Sequence, residues 1–390
     1  MSTSPRPVSI RVRNILCAAL CCLVLALPAC APNIAPGHPV PRNPYAYQFE
    51  EYWYRFDRLY PYFDYKHVDW QAAYDHYRPM VDRVTSELQL VMLLKRMSTP
   101  LRDVHVWFRT PEGKYITTYL PKRAYDPNWS AAVRDKRVPD LAYFGGADWG
   151  SGHIDGFGYI FIDDWNKKAL SLDDFSYMLW QFRHTPGLIV DVRMNAGGDE
   201  TLPYNVAAHF ARTPHLSEYF RYRNGPLPGD LGKPRATFLQ PSLDRQYSGP
   251  IPLAKSLQPS PSWQYNGPVM LLIGPDSFSS TENFIAAMQT LPNVTTIGET
   301  TGGASGCPEP YALGNGWKYS VPICFDMTAD HRVIEWNGIE PEVQVITTPE
   351  DFKHGDDPVL DMALKLLKAK SAAPPSGAGQ PQNMRRRFSR

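Results

Sequence analysis

Ser279 lies in the run Gly274-Pro275-Asp276-Ser277-Phe278-Ser279-Ser280-Thr281-Glu282, after an apolar stretch at 269–273 and before a segment of helical spacing. The pattern reads as a strand, a tight turn and a helix start. A serine placed there meets free backbone N–H groups and the positive end of the helix dipole, which favour a developing alkoxide or oxyanion. The same Ser279-x-x-Glu282 spacing is also a capping box, in which hydroxyl and carboxylate satisfy orphan amides without any catalysis. This segment alone leaves both readings open. A second segment, Leu188-Ile189-Val190-Asp191-Val192-Arg193-Met194-Asn195-Ala196-Gly197-Gly198, runs a buried strand into a glycine pair. The amides of Gly197 and Gly198, with that of Ser280, could form an oxyanion hole, because glycine lets the backbone approach a reacting group closely. A plain strand-to-helix turn is the alternative.

These residues need elements to position them. Residues 45–110 carry Phe49, Trp53, Phe56 and Tyr60 at helical spacing, followed by a second periodic segment at 81–97, and read as a small N-terminal helical domain. The aromatic stripe is the expected core of that domain. A connector spans 111–155. From 156 to 370 short β-branched runs (157–162, 188–192, 269–273, 295–297) alternate with helical segments, the signature of an α/β layer with buried strands. Within it, 224–265 reads as a Pro-rich surface insertion. Residues 371–390, Pro/Gly/Ala/Ser-rich and ending in Arg385-Arg386-Arg387 and Arg390, read as a disordered basic tail.

The start of the chain bears on its compartment. Arg6, Arg11 and Arg13 precede an apolar run at 15–27 that closes in Leu27-Pro28-Ala29-Cys30. This is the layout of a secretory signal ending in a lipobox, so 1–30 is expected to be a lipoprotein signal, Cys30 the lipidated residue and 31–44 a linker. The expected product is an exported, membrane-anchored protein of the bacterial envelope. Ala31 offers no acidic retention signal, which favours the outer membrane, facing the periplasm. Loss of the leader removes three arginines and takes the formal charge from +1 to about −2, which argues against a nucleic-acid surface. Only Cys307 and Cys324 then remain of six cysteines, and in an oxidising compartment they are expected to pair. Two free thiols are the alternative.

In order along the chain, Leu-Ile-Val-Asp-Val-Arg-x-Asn-x-Gly-Gly, Ser-x-Ser-Ser-x-Glu ending at Glu282, Gly298-Glu299-Thr300-Thr301-Gly302-Gly303 and Asn337-Gly338-Ile339-Glu340-Pro341 resemble the motifs of tail-specific (C-terminal processing) serine peptidases. The resemblance implies a crotonase-like (ClpP-like) α/β core and makes Ser279 the nucleophile. One branch of that family uses a lysine base about twenty-five residues after the serine; here that neighbourhood reads Gly302-Gly303-Ala304-Ser305-Gly306, and the next lysine is Lys318. Leu101-Arg102-Asp103-Val104-His105 is instead similar to the tricorn-core branch, whose base is a histidine from the helical domain. That likeness makes His105 the general base and Glu335 the carboxylate orienting the site. A histidine suits the task, since a base works best with a pKa near the working pH. The tricorn-like pattern has a serine where Val104 stands, and Asp103 could replace it only if the chain turns there.

The resulting expectation is a serine peptidase cleaving peptide or protein substrates in the cell envelope, with no metal and no organic cofactor. The short connector leaves little room for a PDZ module. Two other readings share the scaffold: a non-catalytic ligand-binding protein, and an envelope esterase or amidase.

Overall fold

The computed structural model describes residues 41, 43–120, 128–144, 147–166, 171–223, 231–241 and 263–372. The expected signal with Cys30, the linker up to 40, most of the Pro-rich insertion and the tail beyond 372 lie outside the described residues.

The N-terminal lobe is built on α1 (Pro44–Leu59), α2 (Trp70–Tyr77) and α3 (Glu87–Ser98). Asn43 caps α1 by accepting the Tyr45 N–H at 2.9 Å, and Ser86 caps α3 through Gln89. Phe49, Tyr52, Trp53 and Phe56 recur at spacings of three and four, so they share one face of α1, and all are buried. Trp53 and Trp70 each donate the indole N–H to the other's backbone carbonyl at 3.1 Å, satisfying two polar groups inside this aromatic core. The stripe is therefore core, as its spacing implies. Two short strands, β1 (Trp107–Arg109) and β2 (Tyr115–Thr117), close the lobe and carry the chain past His105.

The larger layer begins earlier than its sequence pattern suggests. After α4 (Ala131–Arg137) come β3 (Ala142–Phe144), β4 (Trp149–Ile154) and β5 (Phe157–Ile162), which form an antiparallel edge on the main sheet. The sheet thus starts at residue 142 and not at 156. Edge strands with glycines and one polar face lack the continuous apolar run that marks buried strands. Then follow α5 (Leu172–Gln181), β6 (Leu188–Asp191), α6 (Leu202–Ala207), β7 (His215–Tyr222), β8 (Arg235–Leu239), β9 (Val269–Ile273), α7 (Ser280–Gln289) and β10 (Val294–Gly298). The chain finishes with β11 (Pro308–Gly314), β12 (Trp317–Pro322), β13 (Cys324–Thr328), β14 (Val343–Gln344), α8 (Pro349–His354) and α9 (Pro358–Ala372).

Seven strands lie in the order β14-β10-β9-β6-β5-β4-β3, parallel from β5 to β14. Alternate residues of β6 and β9 face opposite layers. Leu188, Val190, Val269, Leu271 and Ile273 pack with α5, α6 and α7, while Ile189, Met270 and Leu272 pack against α9. Both faces are buried, so these strands must be apolar throughout. A second sheet, β11-β12-β1-β2, joins the helical lobe to the layer through the Phe108–Tyr319 register. A third, β13-β7-β8, takes up residues 235–239 of the expected insertion as a paired strand. The carboxyl ends of the adjacent parallel strands β6 and β9 open on the seam between lobe and layer. Crevices outside such strand ends are where open α/β sheets place their ligands.

Candidate active site

Ser279 follows β9 by one tight turn and is the residue before α7, with φ 55° and ψ −127°. A non-glycine residue there is strained, and such strain persists only where its surroundings fix it. Several bonds do so. Ser279 donates its N–H to the Ala304 carbonyl at 3.0 Å and to Glu282 Oε2 at 3.3 Å, Phe278 donates to the Asn195 carbonyl at 3.0 Å, and the Ser277 hydroxyl donates to the Val192 carbonyl at 2.9 Å. The Glu282 carboxylate also accepts from Thr301 Oγ1 (2.5 Å) and from the amides of Gly303 (2.8 Å) and Ala304 (2.9 Å). One buried side chain therefore ties the serine turn to the loop after β10. Burial pushes Glu282 up to about 7, although all four donors pull it down.

The glycine pair follows β6 after a short turn and packs against the serine. Gly197 has φ 100°, and a Cβ on it would lie 2.8 Å from Ser279 Cβ. Gly198 has φ 141°, and a Cβ there would meet the Trp165 carbonyl at 2.7 Å. Only glycine fits either place. Of the three amides expected to face an oxyanion, that of Gly197 is already committed to Asn195 Oδ1 at 2.9 Å. Asn195 is itself held by Thr281 Oγ1 (2.7 Å) and by its own donation to the Ile162 carbonyl (3.1 Å). The expectation is corrected here: Gly197 shapes the turn, and among the described residues no acceptor bonds the amides of Gly198 and Ser280.

His105 reaches the serine from the helical lobe, with Nε2 3.0 Å from Ser279 Oγ. It lies in a turn after Arg102, which has φ 43°. The chain does turn at Asp103: its Oδ1 accepts the His105 backbone N–H at 2.9 Å, so this carboxylate holds the histidine by the main chain and not by the ring. The His105 carbonyl accepts from the Ser320 hydroxyl of β12. Burial pushes the imidazole pKa below its usual value; Asp103 and the Ser305 backbone raise it, and Lys66 lowers it. The ring is thus neutral near pH 7, the form in which Nε2 can take a proton. Among the described residues no partner meets hydrogen-bond geometry at Nδ1, although the Ser305 backbone lies near the ring.

Glu335 does not touch the ring, contrary to the direct orienting role the resemblance implied. With Val104 in place of a serine there is no hydroxyl for it to bond. Its Oε2 accepts the Ser305 amide at 3.0 Å, and its Oε1 meets Lys66 Nζ at 2.5 Å. Lys66 Nζ also bonds Asp103 Oδ2 at 2.9 Å, which accepts in addition from Tyr60 Oη at 2.8 Å. Burial and the Asp103 charge push Glu335 up to about 8, against the pull of Lys66 and the Ser305 amide. Sequence reasoning missed Lys66. Its signal is faint: a lone lysine in the aromatic run Tyr60-Pro61-Tyr62-Phe63-Asp64-Tyr65-Lys66.

Cys307 and Cys324 are joined as expected, with Cα atoms 5.6 Å apart, and clip the end of the 299–307 loop to β13. Beside them lies a cavity of about 450 Å³, lined by Ser279, Ser280, Tyr204, Asn283 and Asp326. A second of about 250 Å³, lined by Arg102, Val104, Phe278, Gly303 and Trp336, lies on the histidine side. An extended chain crossing the serine has room for side chains on both flanks.

A strained serine at a helix start, a histidine within hydrogen-bond distance and two open amides are the parts that a serine hydrolase uses. Residues 156–345 match the model of peptidase family S41, and residues 41–99 that of the tricorn protease C1 domain. A candidate tricorn protease homologue of Streptomyces coelicolor is 28% identical over 229 residues, 56% of this chain but only 16% of that protein. The structure of a candidate peptidase from Parabacteroides merdae superposes with a TM-score of 0.69 at 27% identity, covering 85% of this chain and 98% of the other. Mature CPAF has the same fold, with a TM-score of 0.59 at 11% identity over 83% of this chain and 96% of its own. The peptidase layer, just under half of the chain, is similar to peptidase family S41. That match supports a serine peptidase.

Proposed function

We propose that the chain hydrolyses peptide bonds with Ser279 as nucleophile and His105 as general base, and that it does so in the cell envelope after export. The 3.0 Å approach of His105 Nε2 to Ser279 Oγ carries this reading. In the proposed cycle Nε2 takes the hydroxyl proton as Oγ attacks the scissile carbonyl. The carbonyl oxygen, now negative, is held by the Gly198 and Ser280 amides, donors fixed before charge develops. The imidazolium returns the proton to the leaving amine, and water, deprotonated by the same nitrogen, releases the acyl group. Ser279 keeps its turn meanwhile through the bonds from its backbone N–H to Glu282 and the Ala304 carbonyl, which the attack of Oγ leaves in place.

Replacing Ser279 with Ala should abolish cleavage of a proteome-derived peptide library and labelling by a fluorophosphonate, with an unchanged circular dichroism spectrum. Cleavage retained by that variant would refute the reading. A wild-type protein that binds peptide or lipid yet never labels would favour the ligand-binding alternative, and turnover of esters or amides without any peptide cleavage would favour an envelope esterase or amidase. Selection of substrate falls to the two flanking cavities, since 111–155 is occupied by β2, α4, β3 and β4. Export and anchoring rest on the lipobox at Cys30. Metabolic labelling with a radioactive or alkynyl fatty acid should mark the full chain and not its Cys30→Ala variant.

A further inference from the structure

Two carboxylates, Asp103 and Glu335, lie buried beside His105, each holding one side of it: Asp103 its backbone N–H, Glu335 the amide of Ser305, whose backbone faces the ring. Between them stands a single cation. Lys66 Nζ is 2.9 Å from Asp103 and 2.5 Å from Glu335, and all three side chains are within 2% of complete burial. The remaining surroundings of this ammonium are aromatic: its nitrogen lies 5.1 Å from the Trp336 ring centre, 5.2 Å from Tyr62 and 5.6 Å from Tyr60. Two carboxylates this close repel each other, and in a low-dielectric interior they would separate or share a proton. The ammonium is what lets them occupy one site.

From this arrangement, and on the reading of His105 as the base, we infer that Lys66 is a positioning residue for catalysis: it clamps the two carboxylates that hold His105 on either side. It is not itself a base. Burial opposes its charge, but Asp103 and Glu335 outweigh burial and raise its pKa above the usual lysine value, so it stays protonated. It takes over the organisation of Glu335 in a chain where Val104 offers that carboxylate no hydroxyl.

The sign of its effect on His105 follows from the neighbours. The charged or titratable groups facing the ring and its clamp are Asp103, Lys66 and Glu335, with the Tyr60 and Tyr62 hydroxyls behind them. Glu335, pushed up to about 8, already holds its proton near neutrality and keeps it without Lys66, while Asp103 keeps two donors in Tyr60 Oη and the His105 N–H. The carboxylate that favours imidazolium remains and the cation that disfavours it is gone. The His105 midpoint therefore rises, by about one pH unit for removal of one nearby partly screened charge.

The test is an NMR titration of His105 in ring-labelled wild type, Lys66→Met and the double variant Lys66→Met/Glu335→Gln, together with the fluorophosphonate labelling rate against pH. The double variant keeps an acceptor for Ser305 without a second titrating carboxyl, so it serves if the single variant does not fold. In whichever variant folds, the midpoint should move up by about one pH unit, and labelling on the acid limb should fall about tenfold. A folded variant that titrates and labels with the wild-type midpoint, whatever its melting temperature, would reduce Lys66 to a structural ion pair and overturn the inference. If wild type does not label at all, the peptidase chemistry fails, while the titration still decides the role of Lys66.

Discussion

Gly197→Ala is the sharpest single test of how the nucleophile is held. A Cβ at this position would lie 2.8 Å from Ser279 Cβ and 3.1 Å from the Phe278 carbonyl, and the backbone stands at φ 100°. The unfavourable dihedral alone costs an L-residue about 1–2 kcal/mol. The contact cannot be relieved by rotation, because both neighbours are on or next to the backbone of a fixed turn, so Ser279 must move by a few tenths of an ångström or more. The total cost should be about 3 kcal/mol, a fall of roughly 6–12 °C in melting temperature for a domain of this size. Displacement of a reacting atom by up to 1 Å can slow chemistry about 10²-fold. Phosphonylation of Ser279 under single-turnover conditions, at a temperature where both proteins are folded, measures that loss directly. Gly156→Ala is the control: at φ 82° it carries similar strain, but a Cβ there meets nothing within 4 Å and the turn is remote from the serine. It should lose about 1 kcal/mol and label at the wild-type rate. Equal labelling by both variants would refute the claim that Gly197 packs against the nucleophile.

Three further outcomes follow from the same geometry. His105→Gln should lower the phosphonylation rate about 10³-fold or more without altering peptide binding measured on a Ser279→Ala background, since Nε2 serves the proton and not the substrate. Stability should fall as pH rises between about 4.5 and 7. Burial raises the folded pKa of Glu282 from 4.5 to about 7, so the folded state holds a proton that the unfolded chain has lost. The shift corresponds to about 3 kcal/mol at most, and thermal melts of wild type against Glu282→Gln across that range should show a shallower slope in the variant. Reduction of Cys307–Cys324, which closes a stretch of 17 residues, should cost about 3 kcal/mol. Because Ala304 and Ser305 lie in the clipped loop, labelling should slow as well; melts and labelling with and without a dithiol check both.

Much of this arrangement could be read from the chain because it is local. Ser279 and Glu282 are three residues apart and belong to one helical turn, so their types and spacing state the geometry almost completely. Gly197 and Gly198 follow a strand whose apolar run is visible, and the aromatic stripe of α1 has the period of the helix that buries it. Errors arose where local pattern and hydrogen bonding part company. The Gly197 amide was assigned to the oxyanion hole because it is a glycine beside a strand end, yet Asn195, two residues earlier, takes that N–H; an Asx turn of this kind was there to be read from Asn-Ala-Gly. The edge strands β3 and β4 were hidden by their glycines and polar residues, which suit a hairpin open on one face.

The clamp around His105 was beyond reach for a different reason. Lys66 and Asp103 are 37 residues apart, and Lys66 and Glu335 are 269 apart. In a sequence of ordinary charge content each is one ionisable residue among many. What distinguishes them is that all three are buried together, a property of tertiary packing that no spacing encodes. Burial is also what gives the cluster its chemical weight. The same three groups at the surface would be screened and worth little, whereas enclosed by Tyr60, Tyr62 and Trp336 their charges act on the imidazole through a low dielectric. On the reading of His105 as the base, burial does most to lower its pKa, and the aromatic side chains around Lys66 confine a cation that adds to that effect. This gives the lobe a chemical reason to belong to the catalytic unit: it carries His105 to the serine and encloses the ammonium that adjusts it.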